Sequence, residues 1–227
     1  MSVYKNIFQT HKSQDYLSKK PKLLKAMQTW SKYNNEFNYN FYDNIMCDNF
    51  IKQHFDKKIY KAYSILPMTV MKADLWRYCV IYHYGGIYAD ADTVCKINPN
   101  IFLTHSLLTI VPENDVHLCQ WVFYAPKGSP ILKTIIDLSV ERILTSNFKG
   151  EHIIHYLTGP GVFTDGTEKY LKNNNLPIFD NKTKYYKYPN NILSVFNYHS
   201  FHKKIVVHLF AGQDDDGWCK ERNIKLL

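Results

Sequence analysis

Residues 67–84, PMTVMKADLWRYCVIYHY, are apolar almost all round, with Asp74 and Arg77 set among Leu75, Trp76, Tyr78, Val80 and Ile81. A run of that length and pattern predicts a buried helix. Pro67 suits its start, and the Gly85-Gly86 pair suits its stop. Asp74 and Arg77 stand three residues apart and therefore share a helix face. Buried polar groups need partners, so the two either satisfy each other or face a cleft and hold a polar ligand. Past the glycines, residues 87–94 read as a strand. Side chains alternate along a strand, which puts Ile87, Ala89 and Ala91 on one face and Tyr88, Asp90 and Asp92 on the other.

The same patterning predicts further elements. Residues 5–10, 37–42, 107–111, 121–125 and 204–209 read as strands. Residues 21–33, 48–55, 130–143 and 167–174 read as helices, with Pro21 in the first turn of its helix. Helices and strands alternate, so the expected fold class is α/β. No linker interrupts the chain, and a single domain over residues 1–227 is expected.

Asp90 and Asp92 on one strand face would stand about 7 Å apart. Two buried carboxylates repel, and one tends to protonate unless a cation lies nearby. A hard divalent ion such as Mg²⁺ or Mn²⁺ resolves the conflict, because it takes oxygen ligands and leaves positions open for phosphate. A D-x-D triplet alone fits a solvated strand end as well. What sets this one apart is the compact unit that delivers Asp74, Arg77, Tyr88, Asp90 and Asp92 to a common region.

Composition narrows the field. The chain has 227 residues, of which 45% are hydrophobic, enough for a substantial core. Its formal charge is +8, carried by 25 lysines and 3 arginines spread along the chain. Nucleic-acid binders favour arginine or a dense basic patch, so no nucleic-acid partner is expected. The charge still suits attraction of an anionic ligand such as a nucleotide diphosphate. The five cysteines form no C-x-x-C pair, which argues against a disulfide framework or a zinc site. No stretch is apolar enough to span a membrane, and the N-terminus lacks a signal-peptide pattern. A soluble cytoplasmic chain is the expectation.

The run ADLWRYCVIYHYGGIYADADTV, residues 73–94, resembles the sugar-binding D-x-D region of glycosyltransferase family 32. Looser matches follow along the chain: NIFQTHK at 6–12, FYD at 41–43, WVFYAPKGSP at 121–130, TGPGVFT at 158–164 and VHLFAG at 207–212. The resemblance implies a GT-A fold, a mixed and mostly parallel sheet flanked by helices. Residues of about 1–95 would form the nucleotide-sugar half, and about 96–227 the acceptor half with a C-terminal closing element. It implies a UDP- or GDP-hexose donor, a glycan or other hydroxyl acceptor, a Mn²⁺ (or Mg²⁺) cofactor, and transfer with retention of configuration.

Carried over residue by residue, the resemblance makes Asp92 the direct metal ligand and places Asp90 near the ribose and the metal's water shell. Asp74 and Arg77 would hold the donor sugar's hydroxyls and a phosphate. Tyr88 would pack against the donor, and Gln9 and His11 would lie on the donor side. His208 would be a metal ligand or a diphosphate contact, and Trp218 would cover the diphosphate. Two departures stand out. His11 replaces a tryptophan, and QDDDGW at 213–218 lacks the usual serine before Trp218 and offers Asp214, Asp215 and Asp216 instead. One of these would supply a third metal oxygen, or the three form an acidic surface loop. No carboxylate nucleophile stands out, so front-face displacement is the expected route. The other readings are a non-catalytic nucleotide-sugar-binding module and a metal-dependent phosphohydrolase.

Overall fold

The computed structural model describes residues 3–33, 35–112, 117–177, 186–187, 191–196, 201–202, 204–213 and 219. Trp218 and Asp214 to Asp216 lie outside the described residues. The strands are β1 (Asn6–Thr10), β2 (Asn38–Tyr42), β3 (Gly86–Ala89), β4 (Thr93–Cys95), β5 (Leu108–Ile110), β6 (Val122–Ala125), β7 (Tyr186–Lys187), β8 (Leu193–Val195) and β9 (Val206–His208). The helices are α1 (Gln14–Ser18), α2 (Pro21–Ser31), α3 (Asn44–His54), α4 (Lys57–Ser64), α5 (Thr69–Tyr84), α6 (Pro130–Thr145), α7 (Ile153–Leu157) and α8 (Pro160–Asn173).

Seven strands form one mixed sheet in the order β2-β1-β3-β6-β5-β8-β7. β1 runs parallel to both β2 and β3, β6 lies antiparallel to β3 and β5, and β5 runs parallel to β8. This is the GT-A arrangement, a mixed sheet flanked by helices. One face packs on α5 and α6 through Met71, Leu75, Trp76, Ile131 and Ile135. The other carries a second core of Ile7, Trp30, Ile87, Val122 and Tyr124. A separate two-stranded sheet joins β4 to β9.

The helix expected at 67–84 forms as α5, starting at Thr69, with Met68 at the N-cap and no side-chain cap bond. Pro67 lies just ahead of it. The run from Asp74 to Ile81 is buried without a break: α5 runs beneath the sheet, and Leu75, Trp76, Tyr78, Cys79, Val80 and Ile81 are completely enclosed. Gly85 and Gly86 then turn the chain into β3 with φ of 72° and 129°, a region that L side chains avoid. Space excludes a side chain as well. A Cβ on Gly86 would stand 2.6 Å from the Asn6 carbonyl oxygen, so the pair also permits β3 to lie close against β1.

The strand expected over 87–94 is corrected. β3 ends at Ala89, the chain turns through Asp90, Ala91 and Asp92, and β4 resumes in the other sheet. The cause is local. The Asp90 carbonyl accepts from both the backbone N–H of Thr93 (3.1 Å) and its hydroxyl (2.6 Å), and a side chain that bonds nearby backbone competes with the strand ladder. Asp90 and Asp92 therefore converge across a turn instead of by strand alternation. Two helices begin earlier than their patterns suggested: α3 at Asn44, where Asp43 caps the N–H of Met46, and α8 at Pro160, with Gly159 at the N-cap. The short helices α1, α4 and α7 were not expected.

Candidate functional site

A cleft of about 470 Å³ opens where the C-terminal end of β3 meets the turn. Strand order decides which groups flank it. β1 on one side of β3 brings Thr10 and His11, and β6 on the other brings Gln120 and Trp121. Crevices at the carboxyl ends of parallel strands are the usual ligand sites of α/β sheets.

Asp74 and Arg77 form the floor. Both are buried, at 2% and 5% exposure. Arg77 Nη2 stands 2.8 Å from Asp74 Oδ1 and 3.3 Å from Asp90 Oδ1, and Nη1 donates to the Gln120 carbonyl at 3.3 Å. The pair satisfies itself and also lines the cleft. Burial pushes the Asp74 carboxyl up to about 7, with Arg77 pulling it back. Burial also works against the Arg77 cation, but Asp90, Tyr88 and Asp74 more than offset it and hold the guanidinium above its ordinary range. Asp90 is held low, because Arg77 and the hydrogen bonds from His208 and Tyr88 outweigh its burial.

Asp92 lies across the turn. Its Oδ2 accepts the Ala211 N–H at 2.8 Å. Burial raises its carboxyl, with His208 acting the other way. The β4–β9 ladder sets Thr93 opposite His208, which brings His208 Nε2 to 3.4 Å from Asp92 Oδ1 and 3.8 Å from Asp90 Oδ2. One ligand atom from each of Asp90, Asp92 and His208 lies within 4.8 Å of the others. Two converging carboxylates with an imidazole suit a divalent cation of the Mn²⁺ or Mg²⁺ kind. The imidazole fits on one condition. Its Nδ1 accepts the Phe210 N–H at 3.2 Å, so the proton of a neutral ring sits on Nε2. Direct ligation through Nε2 requires that proton to leave and the Phe210 bond to give way, whereas Asp90 and Asp92 need no such change.

The remaining expected residues divide. His11 lines the cleft with its ring stacked on Tyr16 at 4.9 Å. Lys12 Nζ sits 4.7 Å from the Tyr16 centroid. Tyr88 reaches the cleft but is 1% exposed. Its hydroxyl donates to Asp90 Oδ1, and its ring lies 4.7 Å from the Arg77 guanidinium, so it supports those groups from below. Gln9 is not brought to the cleft. It is fully buried, donates to the Asp90 carbonyl at 3.1 Å and accepts from Tyr39 at 2.9 Å, which fixes the turn from beneath. Sequence reasoning missed Gln120 and the side chain of Thr158. The signal for Gln120 was a polar residue directly ahead of an otherwise apolar buried strand.

Residues 20–109 match the model of the glycosyltransferase sugar-binding region containing the DXD motif. Over these residues the chain is similar to the glycosyltransferases that carry this motif. It is 28% identical over 220 residues to the initiation-specific alpha-1,6-mannosyltransferase of Candida albicans, a match covering 80% of this chain and 57% of that protein. It is 35% identical over 141 residues to the protein of the same name from Schizosaccharomyces pombe, covering 50% of this chain and 35% of that one. The chain thus spans about half or less of the length of these glycosyltransferases. Among solved structures, the PaToxG glycosyltransferase superposes with a TM-score of 0.56 at 16% identity, covering 75% of this chain and 70% of that one, a likeness of fold. No helix among the described residues is long and apolar enough to cross a membrane.

Proposed function

We propose that the cleft transfers a hexose from a UDP- or GDP-sugar to a glycan or other hydroxyl acceptor, with retention of configuration and with Mn²⁺ or Mg²⁺ bound. The observation that carries this reading is the contact of buried Arg77 with Asp90, beside Asp92, at the floor of one cleft. A paired arginine next to two aspartates suits a sugar diphosphate better than a second metal ion. The two halves work as one domain, since β3 and β6 from either side of the expected boundary pair directly.

When bound at Asp90 and Asp92, the metal supplies Lewis-acid stabilisation of the departing diphosphate. The chain's own groups do the rest. His11 and Tyr16 offer a stacked surface to the nucleoside. Arg77 places a fixed positive charge where the diphosphate gathers negative charge, and a preorganised charge needs no rearrangement as the bond breaks. Asp74 has both oxygens engaged, Oδ1 by Arg77 and Gln120 and Oδ2 by Thr158. A carboxylate oxygen accepts about two hydrogen bonds, which leaves Oδ2 room for one sugar hydroxyl. His208, with its proton on Nε2, is a donor toward the diphosphate. The acceptor hydroxyl attacks from the leaving group's side, and its proton passes to the departing phosphate oxygen.

The test is release of nucleoside diphosphate from a panel of UDP- and GDP-sugars with Mn²⁺, with EDTA, and with Asp92→Ala. One donor cleaved only by the wild type with metal supports the reading. Release of inorganic phosphate from simple phosphate esters would move the site to phosphohydrolase chemistry. Binding of a nucleotide sugar with no turnover would make it a binding module. The anomeric configuration of the first-formed product, read by NMR, decides retention.

A further inference from the structure

The Tyr78 hydroxyl lies outside the cleft, yet it closes a ring of hydrogen bonds around the group expected to meet the donor sugar. Tyr78 is fully buried in α5. Its hydroxyl contacts Gln120 Oε1 and the Thr158 carbonyl at 2.7 Å. Gln120 Nε2 donates to Asp74 Oδ1 at 3.2 Å, and Thr158 Oγ1 donates to Asp74 Oδ2 at 3.0 Å. The circuit runs Asp74, Gln120, Tyr78, Thr158 and back to Asp74. It joins α5, the segment leading into β6, and the elbow between α7 and α8.

The ring has little slack. A phenol has one hydrogen, and both Gln120 Oε1 and the Thr158 carbonyl face it, so the hydrogen on Tyr78 and the orientation of the Gln120 amide depend on each other. The elbow cannot drift to accommodate a change. A Cβ on Gly159 would meet His155 Cα at 2.8 Å, and one on Gly161 would meet the His155 carbonyl oxygen at 2.7 Å, so α7 and α8 are already in close backbone contact. The ring of Tyr78 is also stacked on Phe163 of α8 at 5.5 Å. Gln120, Gly159 and Pro160 line the cleft, as does Asp74, so any displacement of the circuit is felt at the wall of the site.

We infer that Tyr78 is a positioning residue for the proposed transfer: its hydroxyl holds Gln120 and the Thr158 turn so that Asp74 and the α8 wall keep the donor hexose in its reactive pose. The inference rests on the reading of the cleft as a nucleotide-sugar site. Removing the hydroxyl while keeping the ring leaves the Phe163 stack intact and leaves Asp90, Asp92, His208 and His11 untouched. The nucleoside diphosphate should therefore bind as before, and only the sugar should be held badly. Small misplacements of a reacting group cost on the order of 10–100-fold in rate.

The experiment uses the full chain with Mn²⁺ and compares wild type, Tyr78→Phe, Gln120→Leu, and the double variant, with Thr158→Val in place of Gln120→Leu should that protein not fold. For each, the melting temperature, the Kd for UDP and GDP, and kcat and KM for hydrolysis of the preferred donor are measured. The expected result for Tyr78→Phe is nucleotide affinity within about twofold of wild type and kcat lowered about tenfold or more. The double variant should be no slower than Gln120→Leu alone, because residues in one network lose the same interaction once. Tyr78→Phe turning over within about threefold of wild type, strictly multiplicative losses in the double variant, or nucleotide affinity falling in step with kcat would each overturn the inference while leaving the function standing. A folded wild type that cleaves no donor would overturn the functional reading, and this inference with it.

Discussion

Thr93 and His208 face each other in the β4–β9 ladder. Thr93 fixes the turn that carries the two aspartates, and its partner carries the imidazole that points at them. The pairing makes the candidate metal site a property of the smaller sheet, seated against the end of the larger one.

That geometry ranks the ligands. Asp92→Ala should abolish Mn²⁺ binding, measured by titration calorimetry or by quenching of Trp121, whose ring lies 5.0 Å from that of His208. His208→Ala should weaken the metal only modestly, since the two carboxylates remain, but should slow donor cleavage by about tenfold or more. Equal loss of metal affinity in both variants would mean that His208 is a direct ligand with the opposite tautomer.

Arg77→Lys should be far from conservative. The guanidinium reaches Asp74, Asp90 and the Gln120 carbonyl at once, and an ammonium cannot reproduce that fork. Donor turnover should fall on the order of 100-fold, with a lower melting temperature because buried Asp74 and half-buried Asp90 lose their common partner. Near-normal turnover in this variant would remove Arg77 from the site.

The metal-free chain should lose stability as pH rises from about 4 to about 7. Burial holds Asp74 up at about 7, against about 3.9 for an unfolded aspartate. Between those values the folded chain binds more protons than the unfolded one, so stability decreases with pH and levels off above the window. Melting curves from pH 4 to 8 should show this slope, at most about 1.4 kcal/mol per pH unit from one group, and Asp74→Asn should flatten it. An unchanged slope in the variant would assign the proton elsewhere.

Gly86→Ala should destabilise the fold by about 2–4 kcal/mol, read by urea unfolding. The backbone at φ 129° disfavours any side chain, and the new methyl would collide with the Asn6 carbonyl between β1 and β3. A variant as stable as wild type would show that β3 shifts freely against β1.

Much of the site was legible in the chain. The helix of apolar residues with Asp74 and Arg77 inside it, and the glycine pair after it, follow from hydrophobic pattern and backbone sterics, which are local. What could not be read was of two kinds, a local side-chain bond that ends a strand and contacts between distant segments. The turn at Asp90 depends on a threonine hydroxyl folding back on a carbonyl, and it overrides the alternation that suggested a longer strand. Gln120 and Thr158 reach Asp74 only because β6 and the α7–α8 elbow come to lie beside α5. The resemblance puts Gln9 at the donor, but its amide is taken up by the Asp90 carbonyl and the Tyr39 hydroxyl, beneath the turn.

The β4–β9 pairing also bears on how the chain acquires its chemistry during synthesis. A nascent chain that has emerged through Cys95 carries Asp74, Arg77, Asp90 and Asp92, but β6, which closes the sheet beside β3, has not yet been made. The strand bearing His208 follows more than a hundred residues later. Contacts between distant segments form late because a long loop must first be closed. The two aspartates are thus synthesised well before their imidazole neighbour, and the trio of Asp90, Asp92 and His208 is complete only once β9 has docked on β4.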